Sequence, residues 1–224
     1  SFLAKKTDIP ILQFYESTLE SHRFHNFIIR KIRAKVLTNS EYVITIGAAS
    51  KKAIHAMGVD AERIITLFNP ADVCWFHSNS KKHHAEVNSG HRFLFVGQLI
   101  KRKNIDTILR AFARIRNEGD TLAIAGHGPL KEELKDLTRS LGISKFVIFL
   151  GQLSQEELAI RYAISHTLLL VSTNEVWGLV VNEALASGMH VVVSSNCGVS
   201  DFVKDMKGAY VCSTSQGSIQ DAMN

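Results

Sequence analysis

The chain has 224 residues, 46% hydrophobic and 21% charged, an ordinary globular mixture long enough for one large domain or two small ones. No apolar run reaches the roughly 18–20 residues of a membrane-spanning helix, and Lys5, Lys6 and Asp8 interrupt the start that a signal peptide would need. The net charge of +5 sits mostly in front, with 12 Lys/Arg and 8 Asp/Glu in residues 1–90 against 14 and 13 in the rest, and no regular aromatic interleaving marks a nucleic-acid surface.

From the front, residues 11–15, 42–46 and 63–68 read as strands, and 23–38 and 50–57 as helices. Three strands are about half of an ordinary open sheet, and the first residue is Ser1 rather than methionine. The expectation is a chain lacking the amino-terminal half of its first domain. Residues 77–91 are polar and nearly free of large apolar side chains, as in an exposed linker. Adjacent His83 and His84 have no further ligand at useful spacing, so no metal site is read there.

Beyond the linker, apolar runs at 93–96, 122–125, 146–150, 167–171, 190–193 and 209–212 are continuous rather than alternating. That is the pattern of parallel strands buried on both faces. Helical patterns lie between them near 104–116, 129–141, 155–163 and 179–187, with Pro129 expected in the first turn of its helix, and another helix begins near the last residue, Asn224. Strand and helix alternating this often predict a doubly wound α/β sheet, which binds ligands at the carboxyl ends of its strands. The division is 1–76 for a partial first domain, 77–91 for the linker and 92–224 for the second domain. Cys74, Cys197 and Cys212 are far apart, odd in number and without a CxxC pair, as for reduced thiols of a cytosolic protein.

One stretch concentrates the chemistry. Residues 172–188 follow a strand directly, with Glu175 on the loop, Gly178 at the turn and Glu183 about one and a half turns into the next helix. A helix N-terminus offers unpaired amides and partial positive charge, which suits a phosphate. Gly178 allows close approach to the backbone. Glu183 is placed to accept two hydrogen bonds from a vicinal diol such as a ribose. A phosphate cradle flanked by two carboxylates fits a sugar nucleotide. Trp75 and Trp177 read as packing residues, and no HExxH, GxSxG or P-loop pattern is present.

Glu175 and Glu183 stand in an E-x7-E spacing, and Glu-Val-Trp-Gly-Leu-Val-Val-Asn-Glu-Ala around them resembles the E-P-F-G-L-V-x-x-E-A of family 4 (group 1) retaining glycosyltransferases of the GT-B type. Residues 95–106, 125–130 and 147–153 are similar, in the same order, to that family's V-G-R-L-x-x-x-K-G-x-D, G-D-G-P-L and V-x-F-L-G-x-V, and residues 195–201 echo its glycine turn. Weaker likenesses lie at 14–18, 46–50 and 69–72. The resemblance implies two Rossmann-like domains, the first incomplete and acceptor-side, the second nearly complete and donor-binding.

By the same resemblance, Lys103 and Glu175 are the catalytic residues, Lys103 on the donor's diphosphate and Glu175 near the sugar ring. Glu183 would take the ribose hydroxyls, and the amides of Gly178, Leu179 and Val180 the diphosphate. Gly151, Gln152 and Leu153 would lie near the base, and Gly97 and Gln98 would complete the donor site. Gln98 stands where the family has an arginine, leaving Lys101 and Arg102 as neighbouring cations. Asn104 replaces a glycine, and asparagine tolerates the left-handed conformation. The departing phosphate would take the acceptor's proton, so no protein base is assigned. No cofactor and no metal are expected; the chain has no Asp-x-Asp. The donor would be a UDP-, GDP- or ADP-sugar and the acceptor a glycan or lipid-linked molecule, as in polysaccharide biosynthesis. The location implied is cytoplasmic, with peripheral contact on the inner face of the membrane through the basic front part. The alternatives are a non-catalytic sugar-nucleotide-binding module and another GT-B enzyme such as a nucleotide-sugar epimerase or a phosphorylase.

Overall fold

A computed structural model describes residues 9–17, 26–83 and 90–224. Lys5, Lys6, Asp8 and His84, the first residues of the helix expected at 23–38, and much of the linker lie outside them. The chain forms two compact units, Ser1–Asn69 and Pro70–Asn224.

The first unit holds a three-stranded parallel sheet in the order β1-β2-β3, from β1 (Leu12–Phe14), β2 (Tyr42–Ile46) and β3 (Ile64–Leu67). Helix α1 (Phe27–Thr38) begins at Asn26, whose side chain accepts from the Ile28 amide, a standard N-cap. Helix α2 (Gly47–His55) starts three residues earlier than expected, because Gly47 turns out of β2 at φ 73°. Leu37, Val43, Ile54, Val59 and Ile64 form the core of this unit.

The second unit opens with α3 (Val73–Lys81), so the stretch read as a linker from residue 77 begins inside a helix. Asp72 caps it by accepting from the Trp75 amide. Phe76 is its one buried apolar anchor, and the Ser80 hydroxyl donates to Ser187 Oγ at 2.8 Å. Polar composition hid this helix because serine hydrogen bonds, rather than an apolar stripe, hold part of it in place.

Six parallel strands follow: β4 (Arg92–Val96), β5 (Thr121–Ala125), β6 (Val147–Gly151), β7 (Thr167–Leu170), β8 (His190–Ser194) and β9 (Ala209–Cys212). Their spatial order is β6-β5-β4-β7-β8-β9. Counted from the first strand of this sheet, that is the doubly wound order with its reversal between β4 and β7. Helices α4 (Ile105–Ile115), α5 (Lys131–Ser140), α6 (Gln155–Ile164), α7 (Leu179–Ala186), α8 (Ser200–Val203) and α9 (Gln216–Met223) fill the crossovers and the end. Strands β4, β5 and β7 are almost wholly buried, as their unbroken apolar runs require. Phe95, Phe112, Leu122 and Ile124 lie at the centre of the core.

Pro129 is not in the first turn of α5. The helix starts at Lys131, and residues 128–130 form a turn tied to the β4 loop, with the Leu130 amide donating to Leu99 O at 3.1 Å. Gly126 permits this lacing: at φ 134° a Cβ there would stand 1.9 Å from the Gly97 carbonyl oxygen. Gly126→Ala is therefore expected to cost about 1–3 kcal/mol through backbone displacement, read as a lowered denaturant midpoint at unchanged m-value.

Candidate functional site

The carboxyl ends of β4 and β7 carry two loops that meet. The loop from β4 passes Gly97 and Gln98, tightens into a 3-10 turn at Lys101–Lys103, and enters α4 through Asn104. Asn104 has φ 57°, the one left-handed non-glycine residue among those described. Its amide donates to Val171 O (3.2 Å) and Thr214 O (3.1 Å), and its oxygen accepts from the Thr107 hydroxyl (2.7 Å). A glycine would make the turn without these bonds. They fix the backbone that presents Lys103, which is only 8% exposed. The ammonium lies against Gly97, where a Cβ would stand 3.6 Å from Nζ.

The loop from β7 carries Glu175. Its amide donates to Asn196 O (3.2 Å), and the Gly198 amide donates to its carbonyl (2.9 Å). A Cβ on Gly198 would sit 1.9 Å from Val176 O, so the glycine turn at 195–198 brings the backbone against this loop. Oε2 of Glu175 accepts from both Lys103 Nζ and Arg102 Nη1, the latter at 3.0 Å. Gly178 caps α7 at φ 103°, with its would-be Cβ 3.7 Å from Glu175 Cγ. Gly97, Lys103, Glu175 and Gly178 thus meet at one place. Leu179 and Val180 open α7, whose leading amides lack intrahelical acceptors.

Glu183 lies on the same helix, where its Oε2 accepts from the Tyr162 hydroxyl at 2.7 Å. Tyr162, on α6, is fully buried, and Phe76 of α3 meets its ring edge-on at 5.7 Å. Burial pushes the Glu183 carboxyl above its ordinary range, and the Tyr162 hydrogen bond opposes this only in part. Burial, then the neighbouring Glu183, lifts the Tyr162 hydroxyl well above its own usual value. Sequence reasoning missed Tyr162; its only signal was one hydroxyl on the buried face shared by Ala159 and Ala163. Tyr162→Phe removes the donor that favours the ionised carboxylate. The Glu183 carboxyl should then take up its proton at a higher pH than in the wild type, as checked by NMR titration of that carboxyl.

A cavity of about 240 Å³ opens at the ends of β4, β5 and β6. Gly97 and Gln98, Gly126 and His127, and Gln152 and Leu153 line it, two residues from each loop. The loops are laced together by Gly97 N to Ala125 O (3.0 Å), Leu99 N to His127 O (2.8 Å) and Gly126 N to Gly151 O (2.7 Å). The volume is below the roughly 300–1,000 Å³ of a whole small-molecule site and fits one ring system beside the cluster. Gln98 is exposed along this wall and forms no hydrogen bond with Lys103 among the described residues. Glu183 joins Tyr162 rather than the Lys103–Glu175 pair.

Trp177 is buried against Phe202, with ring centroids 5.0 Å apart, and Trp75 packs on Phe76 at 5.0 Å. Cys74, Cys197 and Cys212 are free thiols, and burial lifts those of Cys197 and Cys212 to about 11, which keeps them protonated. Among the described residues no helix is long and apolar enough to cross a membrane.

Residues 76–224 match the family described as glycosyl transferases group 1. An uncharacterized glycosyltransferase of Methanocaldococcus jannaschii is 35% identical over 128 residues, covering 56% of this chain and 33% of the relative. An alpha-monoglucosyldiacylglycerol synthase of Streptococcus pneumoniae is 24% identical over 222 residues, covering 91% of this chain and 50% of the relative. The chain therefore spans half or less of the length of these curated relatives. Among solved structures, Anabaena HepE in complex with UDP-glucose superposes with a TM-score of 0.81 at 18% identity, over 98% of this chain and 63% of that one. The fold is α/β with Rossmann-like units, as in GT-B glycosyltransferases.

Proposed function

Because this chain belongs to the group 1 glycosyl transferases, we propose that it is the donor-binding part of a retaining, metal-independent family 4 enzyme. The reaction moves a sugar from a nucleoside-diphosphate sugar to a glycan or lipid-linked acceptor. The observation that carries this reading is the convergence of Lys103 and Glu175 beside the Gly178 N-terminus of α7. A diphosphate placed there meets an ammonium and helix amides together. Both stabilise the charge that grows on the leaving group as the glycosidic bond breaks.

Glu183 accepts the ribose hydroxyls in this reading, and the cavity beside Gln152 and Leu153 takes the base. Glu175 works at the sugar ring. The departing phosphate takes the acceptor's proton on the face it leaves, so the anomeric configuration is kept. A lipid acceptor is favoured by the name of the Streptococcus relative.

The first unit is the acceptor-side domain in this account, and α1 gives it a membrane-facing character. Phe27, Ile28 and Ile32 are 66%, 65% and 58% exposed, and the helix carries Arg30, Lys31, Arg33 and Lys35 with no acidic residue. Such a helix suits an anionic lipid interface on the cytoplasmic side. Exchanging Arg30 and Lys31 for glutamate should weaken co-sedimentation with phosphatidylglycerol vesicles about 30-fold or more, at about 1 kcal/mol for each of the two basic residues lost, and leave neutral vesicles unaffected.

The test of function is transfer from UDP-, GDP- and ADP-sugars to diacylglycerol or a short glycan in the presence of chelator, with the product's anomeric configuration read by NMR. An α-linked product from an α-donor is expected. An inverted product, or activity lost to chelator, would contradict the mechanism. Donor binding without any product would favour the non-catalytic module.

A further inference from the structure

The cations around Glu175 outnumber it. Lys103 Nζ and Arg102 Nη1 donate to the same carboxylate oxygen, so one negative charge is shared between two positive ones. Arg102 is held in place from behind. Its carbonyl accepts from the Thr173 amide at 2.8 Å and the Thr173 hydroxyl at 3.2 Å. Nη1 also donates to Asn174 O at 3.1 Å.

Both side-chain bonds use one nitrogen. Among the described residues Nε and Nη2 donate to none, and the side chain is 45% exposed. An open edge of the guanidinium therefore stands beside Lys103, on the Glu175 oxygen that they share. Neighbouring Lys101 is exposed, and among the described residues no hydrogen bond or ion pair joins its side chain to the cluster. Gln98, on the same loop, brings no charge.

We propose that Arg102 is the second cation of the donor site: with Lys103 it grips the diphosphate, and Glu175 is a placeholder that both release when the donor arrives. The proposal rests on the donor-site reading above. In the empty site two cations face one carboxylate, leaving a surplus positive charge at a helix N-terminus. The diphosphate of a sugar nucleotide carries two negative charges and neutralises both cations. A planar guanidinium matches two phosphate oxygens better than it matches a single carboxylate oxygen already shared with an ammonium. Once released, the Glu175 carboxylate is free to accept hydrogen bonds from the sugar hydroxyls, so donor binding itself turns this side chain toward the reacting ring.

The experiment compares nucleoside mono- and diphosphates by calorimetry on the wild type, Arg102→Gln and Arg102→Lys. The series used is uridine, guanosine or adenosine, whichever diphosphate the wild type prefers. Arg102→Gln should bind the diphosphate about tenfold more weakly, the loss of one charge-assisted hydrogen bond, with less than about a twofold change for the monophosphate. Arg102→Lys should fall between, and thermal midpoints should agree across the three proteins. Equal losses for mono- and diphosphate, or wild-type diphosphate affinity in Arg102→Gln, would overturn the proposal and leave Arg102 as a holder of Glu175. A wild type that binds no nucleoside diphosphate would overturn the donor site as well.

Discussion

Lys103→Ala is expected to lower turnover by about 10²–10³-fold, the cost of removing one preorganised charge from a developing anion. The side chain is set before any ligand arrives. It is 8% exposed, its ammonium lies against Gly97, and its backbone is locked by the three hydrogen bonds of Asn104. A charge held this way, away from bulk water, needs no reorganisation as the leaving group charges. The fold should survive the change, because Glu175 keeps Arg102 as a partner and no carboxylate is left stranded. The check is kcat and KM for transfer, alongside a thermal melt. A raised KM with unchanged kcat would mean that Lys103 binds the ground state and transition state equally, and its catalytic role would be withdrawn.

The second large effect is expected at Glu183. Glu183→Ala should weaken nucleotide binding about 10–100-fold, the loss of one or two charge-assisted hydrogen bonds to the ribose. It should also cost about 1–3 kcal/mol of stability, since the buried Tyr162 hydroxyl loses its acceptor. Glu183→Gln separates the two effects, because the amide oxygen still accepts from Tyr162. The sign of the pH dependence follows from burial. Glu183 has its pKa raised in the folded protein, so its protonation favours the fold. That contribution is fully present below the unfolded carboxyl pKa and is lost as pH rises through the folded one. At neutral pH the ionised carboxylate is thus a burden to the fold, and Glu183→Gln should be at least as stable as the wild type while binding nucleotide more weakly. Wild-type affinity should fall on acidification at a pH above the ordinary glutamate range, and this limb should vanish in Glu183→Gln. Calorimetry over pH, paired with denaturant melts, tests both halves; a glutamine variant that binds as well as the wild type would remove Glu183 from the site.

The inner strands of the second unit were legible because a strand buried on both faces must be continuously apolar; the edge strands β6 and β9 carry apolar runs too, although Ile148, Tyr210 and Val211 are exposed. All six appear within a residue or two of the runs in the sequence. Helix starts were less legible. Gly47 begins α2 early and the turn at 128–130 delays α5, and both depend on where the adjoining backbone goes. Helix α3 was hidden because its anchors are Phe76 and a pair of serine hydroxyls, a pattern indistinguishable in sequence from a polar linker.

Within the candidate site, Glu175, Gly178 and Glu183 could be read because they share one segment with fixed spacing. Lys103 came from the family motif, and the structure brings it to Glu175. The residues that hold them could not be read. Tyr162 meets Glu183 across 21 positions, and Arg102 meets Glu175 across 73. Such pairings are set by the order of the sheet, which places the β4 and β7 loops side by side. Asn104 lies between these cases: its left-handed turn was expected from its residue type, whereas its bonds to Val171 and Thr214 depend on the assembled sheet.

The proposed nucleoside-diphosphate site lies at the carboxyl ends of β4 and β7 and uses side-chain cations in place of a metal. Calorimetric titration of the wild-type chain with UDP, GDP and ADP, with and without chelator, tests it most directly. Micromolar binding of at least one of the three, unchanged by chelator, is the expected result. No measurable binding of any, or binding that chelator abolishes, would contradict it.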